Sequence, residues 1–212
     1  MENELGKLVD KSLTKEELLQ KVTQNFDLLP KILDGVSSQK AAIRYGCAKV
    51  LIDLSEEYPE KLYPHIDFFI NLLDSKYRIL TWNAMAIIAN LTCVDTEKKF
   101  DAIFNHYFNF INDEYMVTVA NVVRHSGKIA VAKPYLIPKI TTELLNVENI
   151  SLSPHLTEEC KRVITEKALK SFTMFLNKIE HKEEVLSFVK KYLNSSRKSL
   201  RTQAEKIVKR WG

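Results

Sequence analysis

The chain has 212 residues, 45% of them hydrophobic, and a formal net charge of +4. Five Gly, six Pro and no strand-like alternation make it an all-α chain, and no run approaches the ~18 apolar residues that a bilayer span needs. The mixed-charge N-terminus MENELGKLVDKS lacks a signal peptide's apolar core, and the widely spaced Cys47, Cys93 and Cys160 read as reduced thiols, so a cytoplasmic location is expected.

Residues 1–11 are either a short helix or a frayed end. Thr14 opens the first strong helix. Thr14-x-x-Glu17 fits a capping box, with Leu18, Leu19 and Val22 at helical spacing behind it. Asp27-Leu28-Leu29-Pro30 interrupts the path before residues 31–36. Between residues 38 and 54, Ile43, Cys47, Val50, Leu51 and Leu54 fall at i, i+4, i+7, i+8 and i+11, which draws one apolar stripe along a helix. Tyr58-Pro59-Glu60 reads as a connector, because Pro lacks the N–H that a helix interior uses. Pro64 lies near the next start, and an apolar run over residues 66–73 leads to Asp74, expected to cap the following helix. That helix carries Leu80, Ala84, Ile87, Ile88 and Leu91 on its stripe. Asp95 or Thr96 is expected to cap a helix rich in aromatics, Phe100, Phe104, Tyr107, Phe108 and Phe110, four of which share a core face. In the next helix Arg124, His125 and Ser126 stand where the other copies are largely apolar. Either His125 hydrogen-bonds within the stack or this part of the surface is polar for a ligand. Pro134 and Pro138 bracket a further start. Residues 149–155 then lengthen a turn before Ser153-Pro154 or Thr157 opens another helix. That loop is either a contact element or a tolerated insertion.

The stripe recurs. Sliding it back by 37 or forward by 38 and 120 lands on residues 38–54, 113–129 and 195–211, and another copy holds Ile164, Ala168, Ser171, Phe172 and Phe175. The short polar residues Ser37, Asp74, Asn112, Asn146 and Asn194 are placed at the turns. A period near 37 with two helices per period is the signature of an α-solenoid. The segments Ile43-Arg44-x-x-Cys47-Ala48-x-x-Leu51-x-x-Leu54 and Leu200-Arg201-x-x-Ala204-x-x-Ile207-Val208-x-x-Trp211 resemble the second helix of a HEAT repeat, and Gly127 matches that helix's late small residue. Thr81, Val119 and Thr165 replace the family's Arg in the other copies. The expectation is a right-handed α-solenoid of about five HEAT-like helix pairs preceded by an N-terminal helix. It would form one domain over residues 1–212, with approximate repeats 27–57, 62–94, 96–132, 135–177 and 182–212.

Motifs for chemistry do not assemble. The five His are far apart with no HxxxH or HExxH, no CxxC occurs, and neither a phosphate loop nor a nucleophile elbow is present. Cys47 aligns with Ala84 and Ala204, as a small core residue does. The expectation is a non-catalytic protein with no metal and no cofactor.

The HEAT resemblance implies that the second helices line the concave side. Their off-stripe positions then form a groove, in which Tyr45, Lys49, Trp82, Asn83, Asn90, Asn121, Arg124 and Lys128 are the candidate protein-binding residues. Residues 181–212 hold nine Lys and Arg against three Glu, a net of +6, so the rest of the chain sums to −2. Lys190, Lys191, Arg197, Lys198, Arg201, Lys206, Lys209 and Arg210 make this a basic patch, either a docking surface or the solvated end of the array. The first functional reading is a scaffold that binds a protein partner on the concave face, without membrane association. The alternative is a nucleic-acid-binding or DNA-repair protein resembling the HEAT-like alkyl-purine DNA glycosylases, acting through the basic C-terminal repeat. Trp82, Asp53 and Glu166 are the residues that such an enzyme could draw on.

Overall fold

The structure, a computed structural model, describes residues 14–180 and 182–211. The expectation for residues 1–11 lies outside that range. Helix follows helix throughout, and among the described residues the one extended pairing is a bridge between Ser153 and Leu156. The chain forms two compact units, which meet in sequence between Glu97 and Lys98.

The first unit begins with α1 (Lys15–Gln24). Its capping box forms as the sequence predicts: Glu17 N donates to Thr14 Oγ1 at 3.2 Å, and Thr14 N donates to Glu17 Oε2 at 2.8 Å. Leu18 and Val22 bury against α3 (Ala41–Glu57), where Lys15 also pairs with Asp53 at 2.7 Å. The helix α2 (Leu29–Gly35) takes Pro30 in its first turn, the position where a missing N–H costs nothing. After α3 come a single turn, α4 (Pro59–Leu62), then α5 (Ile66–Asn71) and α6 (Arg78–Leu91). The second helices α3 and α6 pack on each other, α2 packs on α3, and α5 packs on α6. Every stripe residue of α6 is buried, and Cys47, Val50, Leu51 and Leu54 of α3 are fully covered. One polar clip crosses this contact: Asn90 Nδ2 donates to Ser55 Oγ at 2.9 Å.

The second unit holds α7 (Lys99–Asn109), α8 (Met116–Ala132), α9 (Ile137–Leu145), α10 (Glu158–Phe175), α11 (Lys182–Lys190) and α12 (Lys198–Trp211). Here α8 packs on α10 and α10 on α12, α9 touches α8 and α10, and α11 touches α12 and α9. Phe100, Phe104, Tyr107 and Phe108 are all buried, as their spacing predicts. The contact between α8 and α10 is close. A Cβ at Gly127 would lie 2.5 Å from Met174 Sδ and 3.2 Å from the Ser171 backbone, and Ser171 Oγ donates to Val123 O at 2.6 Å.

The turns correct two expectations. Asp74 does not cap α6: the chain closes its preceding helix with a 3-10 turn that ends at Asp74, so Ser75 is the first extended residue. Its hydroxyl accepts from Tyr77 N at 3.2 Å. The same device recurs at Ser38 to Lys40 N, Asp113 to Tyr115 N and Ser195 to Arg197 N, always one residue after the position chosen from sequence. Nor does Asp95 or Thr96 cap α7. The cap position is Lys98, held left-handed at φ 57°, and Asp95 instead accepts from Tyr63 OH at 2.7 Å. Thr157 does cap α10, accepting from Cys160 N.

Arg44 and Arg201, the two copies of the Arg in the HEAT-like motif, perform the same task. Each guanidinium folds back on its own turn, Arg44 Nη1 to Ser38 O at 2.8 Å and Arg201 Nη1 to Ser195 O at 2.7 Å. Arg44 is also stacked over the rings of Tyr77 at 3.9 Å and Tyr45 at 4.7 Å.

Candidate functional site

The off-stripe surfaces of the second helices are the places where the fold leaves side chains to spare. In the first unit this surface belongs to α3 and α6. Lys49 is exposed, while Tyr45 and Trp82 are half-buried. Tyr45 meets Tyr77 edge to face at 6.5 Å, so its ring also supports the Arg44 stack. Asn83 is half-buried, and its Nδ2 is covered without a hydrogen-bond partner among the described residues. Asn90 is 9% exposed and is held by Ser55, which places its amide in the helix contact.

In the second unit the surface runs over α8, α10 and α12. Arg124 is exposed and Lys128 half-buried on α8, and Asn121 Nδ2 donates back to Val117 O at 2.8 Å. Ser126 needs no ligand, because its hydroxyl bonds Val122 O of its own helix at 2.8 Å. Between α10 and α12 lies an open cleft of about 630 Å³. Glu166 forms its floor, with a carboxylate only 7% exposed. It accepts from Lys170 Nζ at 2.6 Å, Arg197 Nε at 2.9 Å and Ser199 Oγ at 2.6 Å. Lys198 and Lys206 stand exposed at the cleft wall.

The basic patch is therefore not uniform. Arg197 is shared between Glu166 and Glu159, Arg201 holds the Ser195 turn, and Lys191 pairs with Glu148 at 2.7 Å. Lys190, Lys198, Lys206, Lys209 and Arg210 remain exposed. Glu166 was expected only as an acid that a repair enzyme could draw on, and its pairing with Lys170 was missed, although their i, i+4 spacing is the signal of a helical ion pair.

Burial by itself raises the Glu166 carboxyl, but the hydrogen bonds from Lys170, Ser199 and Arg197 more than offset it and bring it down to about 2. A depressed folded pKa gives stability that is present above the unfolded value, 4.5, and is lost as pH falls toward 2. At about 1.4 kcal/mol per pKa unit, the pair of values corresponds to roughly 3 kcal/mol. Glu166→Gln should remove that share of the acid sensitivity. In urea midpoints followed from pH 6 to pH 2, the variant should start lower and fall less steeply than wild type. Parallel curves would mean that the carboxylate does not act in this way.

Burial also pushes the Cys47 thiol up to about 12, which removes it as a nucleophile near neutral pH. Among the described residues no three His, Cys, Asp or Glu are grouped to hold a metal ion. Nor is any helix of those residues long and apolar enough to cross a membrane.

Solved structures share this arrangement over nearly the whole chain. A designed armadillo repeat protein solved with the peptide (KR)4 matches at TM-score 0.68 and 15% identity, covering 100% of this chain and 92% of its own. A second designed armadillo repeat protein matches at TM-score 0.65 and 18% identity, covering 98% and 92%. A third, computationally designed for modular peptide recognition, gives 0.61, 17%, 98% and 92%. The chain is an all-α repeat solenoid of the HEAT/armadillo kind. At these identities the likeness is one of fold. No family model and no curated protein matches the sequence.

The solenoid assignment gives the turn device its meaning. At Ser38, Ser75, Asp113 and Ser195 a side chain accepts from the N–H two residues on, after a 3-10 turn in the case of Ser75 and Asp113, and α3, α6, α8 and α12 each begin three residues after that side chain. The candidate positions of α3 and α6 in the first unit, and of α8 and α12 in the second, thereby share one register, while α10 follows its own longer turn and the Thr157 cap.

Proposed function

We propose that this solenoid is a non-catalytic scaffold that receives an extended segment of a partner protein on the faces of its second helices. The observation that carries the reading is the neighbouring pair on α6. Trp82 presents a half-buried ring, and Asn83 beside it holds a covered amide nitrogen with no hydrogen-bond partner among the described residues. A ring of this kind packs on a peptide side chain, and the amide can turn to meet a main-chain carbonyl, a donor that is otherwise costly to leave unsatisfied. Structural neighbours that hold or were designed for peptides support a peptide as the partner class.

Trp82→Ala is the variant of choice, since Tyr45→Ala would also loosen the Arg44 stack. Random dodecapeptides displayed on phage and selected on the wild-type protein provide the probe. Trp82→Ala should weaken the selected peptide by about thirtyfold, or about 2 kcal/mol, with an unchanged helical circular dichroism spectrum. Equal affinity for both proteins would remove α6 from the binding face.

A further inference from the structure

We propose that the cleft between α10 and α12 docks an acidic peptide segment, with an Asp or Glu at about every second or third residue. This deepens the peptide-binding reading and rests on it.

The charge of the cleft is the first argument. Among the described residues that line it the one acid is Glu166, which is buried at the floor and already takes three donors, including the cations of Lys170 and Arg197. Lys198 and Lys206 add two more positive charges at the wall, and neither makes an ion pair among the described residues. Lys198 also opens the 14-residue helix α12, whose N-terminal dipole has the same sign. A cleft with this excess attracts carboxylates and repels a basic segment.

The second argument is the column. Arg124, Lys170 and Lys206 occupy equivalent positions on the three successive second helices of this unit, and all three are exposed. Packed helices stand ~8–10 Å apart, and an extended peptide advances ~3.3 Å per residue. A strand laid across the helices thus passes one cation for every two or three residues, which fixes the spacing of its acids. Buried Glu166 gives the site selectivity as well: it holds Arg197 in place, and it disfavours an acid pushed to the floor, so the peptide rides along the wall.

The test uses fluorescence anisotropy of the full chain with a labelled octapeptide of alternating Asp and Glu, a matching Lys-Arg octapeptide and a short DNA duplex, each at two salt concentrations. The acidic octapeptide should bind wild type more tightly than the basic one and weaken with salt. Lys198→Glu with Lys206→Glu should reduce its affinity at least about tenfold, and Lys198→Gln with Lys206→Gln should act in the same direction less strongly. Both lysines are exposed, so circular dichroism should not change. The proposal is overturned if the acidic peptide does not bind, or binds the reversed variant as well as wild type. It is also overturned if the duplex binds more tightly and is lost in the same variant, which would make this a nucleic-acid surface. Binding of the basic peptide that depends on Trp82 and ignores the lysines would overturn this proposal alone. Failure of every peptide would remove the broader reading too.

Discussion

Leu80→Asp is expected to abolish cooperative folding of the first unit, whereas Lys76→Asp should stay within about 0.5 kcal/mol of wild type. Leu80 is 3% exposed and lies on the α6 stripe, where α6 packs on α3 and α5. A carboxylate there is taken out of water, and an unpaired buried charge costs on the order of several kcal/mol. That is comparable with the whole stability of an ordinary domain, about 5–15 kcal/mol. Lys76 sits four residues earlier on the exposed turn, where its ammonium lies 5.2 Å from the Tyr77 ring centroid, so its reversal loses only a weak contact. Thermal melts by circular dichroism decide the matter. Superimposable melts for the two variants would show that the stripe does not carry the unit.

Gly127→Val should destabilise the second unit by about 3 kcal/mol, while Gly127→Ala should be close to neutral. At this position the backbones of α8 and α10 approach closely, and the first atom added at Gly127 meets Met174 Sδ and the Ser171 backbone. The methionine is half-exposed at 48%, so its end can swing aside. The 3.2 Å contact with Ser171 must then open by a few tenths of an ångström, a cost that alanine's better helix propensity, about 1 kcal/mol, offsets. Valine's two further methyls cannot be placed by moving Met174 alone. They press α10 away and stretch the Ser171 to Val123 hydrogen bond, now 2.6 Å. Urea denaturation of the three proteins tests the order. An alanine variant as weak as the valine one would mean that the crossing has no room to adjust.

The stripe was readable because it is periodic: five positions recurring through the chain leave little choice of phase, and almost all of them are buried. Gly127 could be matched to a small family position, but not to Met174 and Ser171, since nothing local in sequence announces which helix will approach. The turns were legible only to within one residue, because whether a first helix ends in an α or a 3-10 turn is decided by packing and not by the identity of Asp74 or Asn112. Among the candidate site residues, column counting treats every off-stripe position as open. Asn90 and Glu166 show why that fails. A polar side chain next to a neighbouring repeat finds Ser55 in one case and Arg197 with Ser199 in the other, and becomes covered. Such pairs join residues 31 to 35 positions apart and leave no local mark.

The segment between residues 150 and 157 is the longest departure from the short turns, and by length alone it would be chosen for inserting a tag or for cutting with a protease. Its bonds argue otherwise. Ser153 Oγ reaches Glu114 O at 3.1 Å, the His155 ring lies flat on Tyr115 at 4.6 Å, Leu156 is 1% exposed, and Lys161 Nζ holds the carbonyls of Glu148 and Ile150. The loop is riveted to the turn that opens α8. A protein engineer who lengthened it would be loosening the joint between two repeats, and a protease would have to wait for that joint to open before it found a substrate.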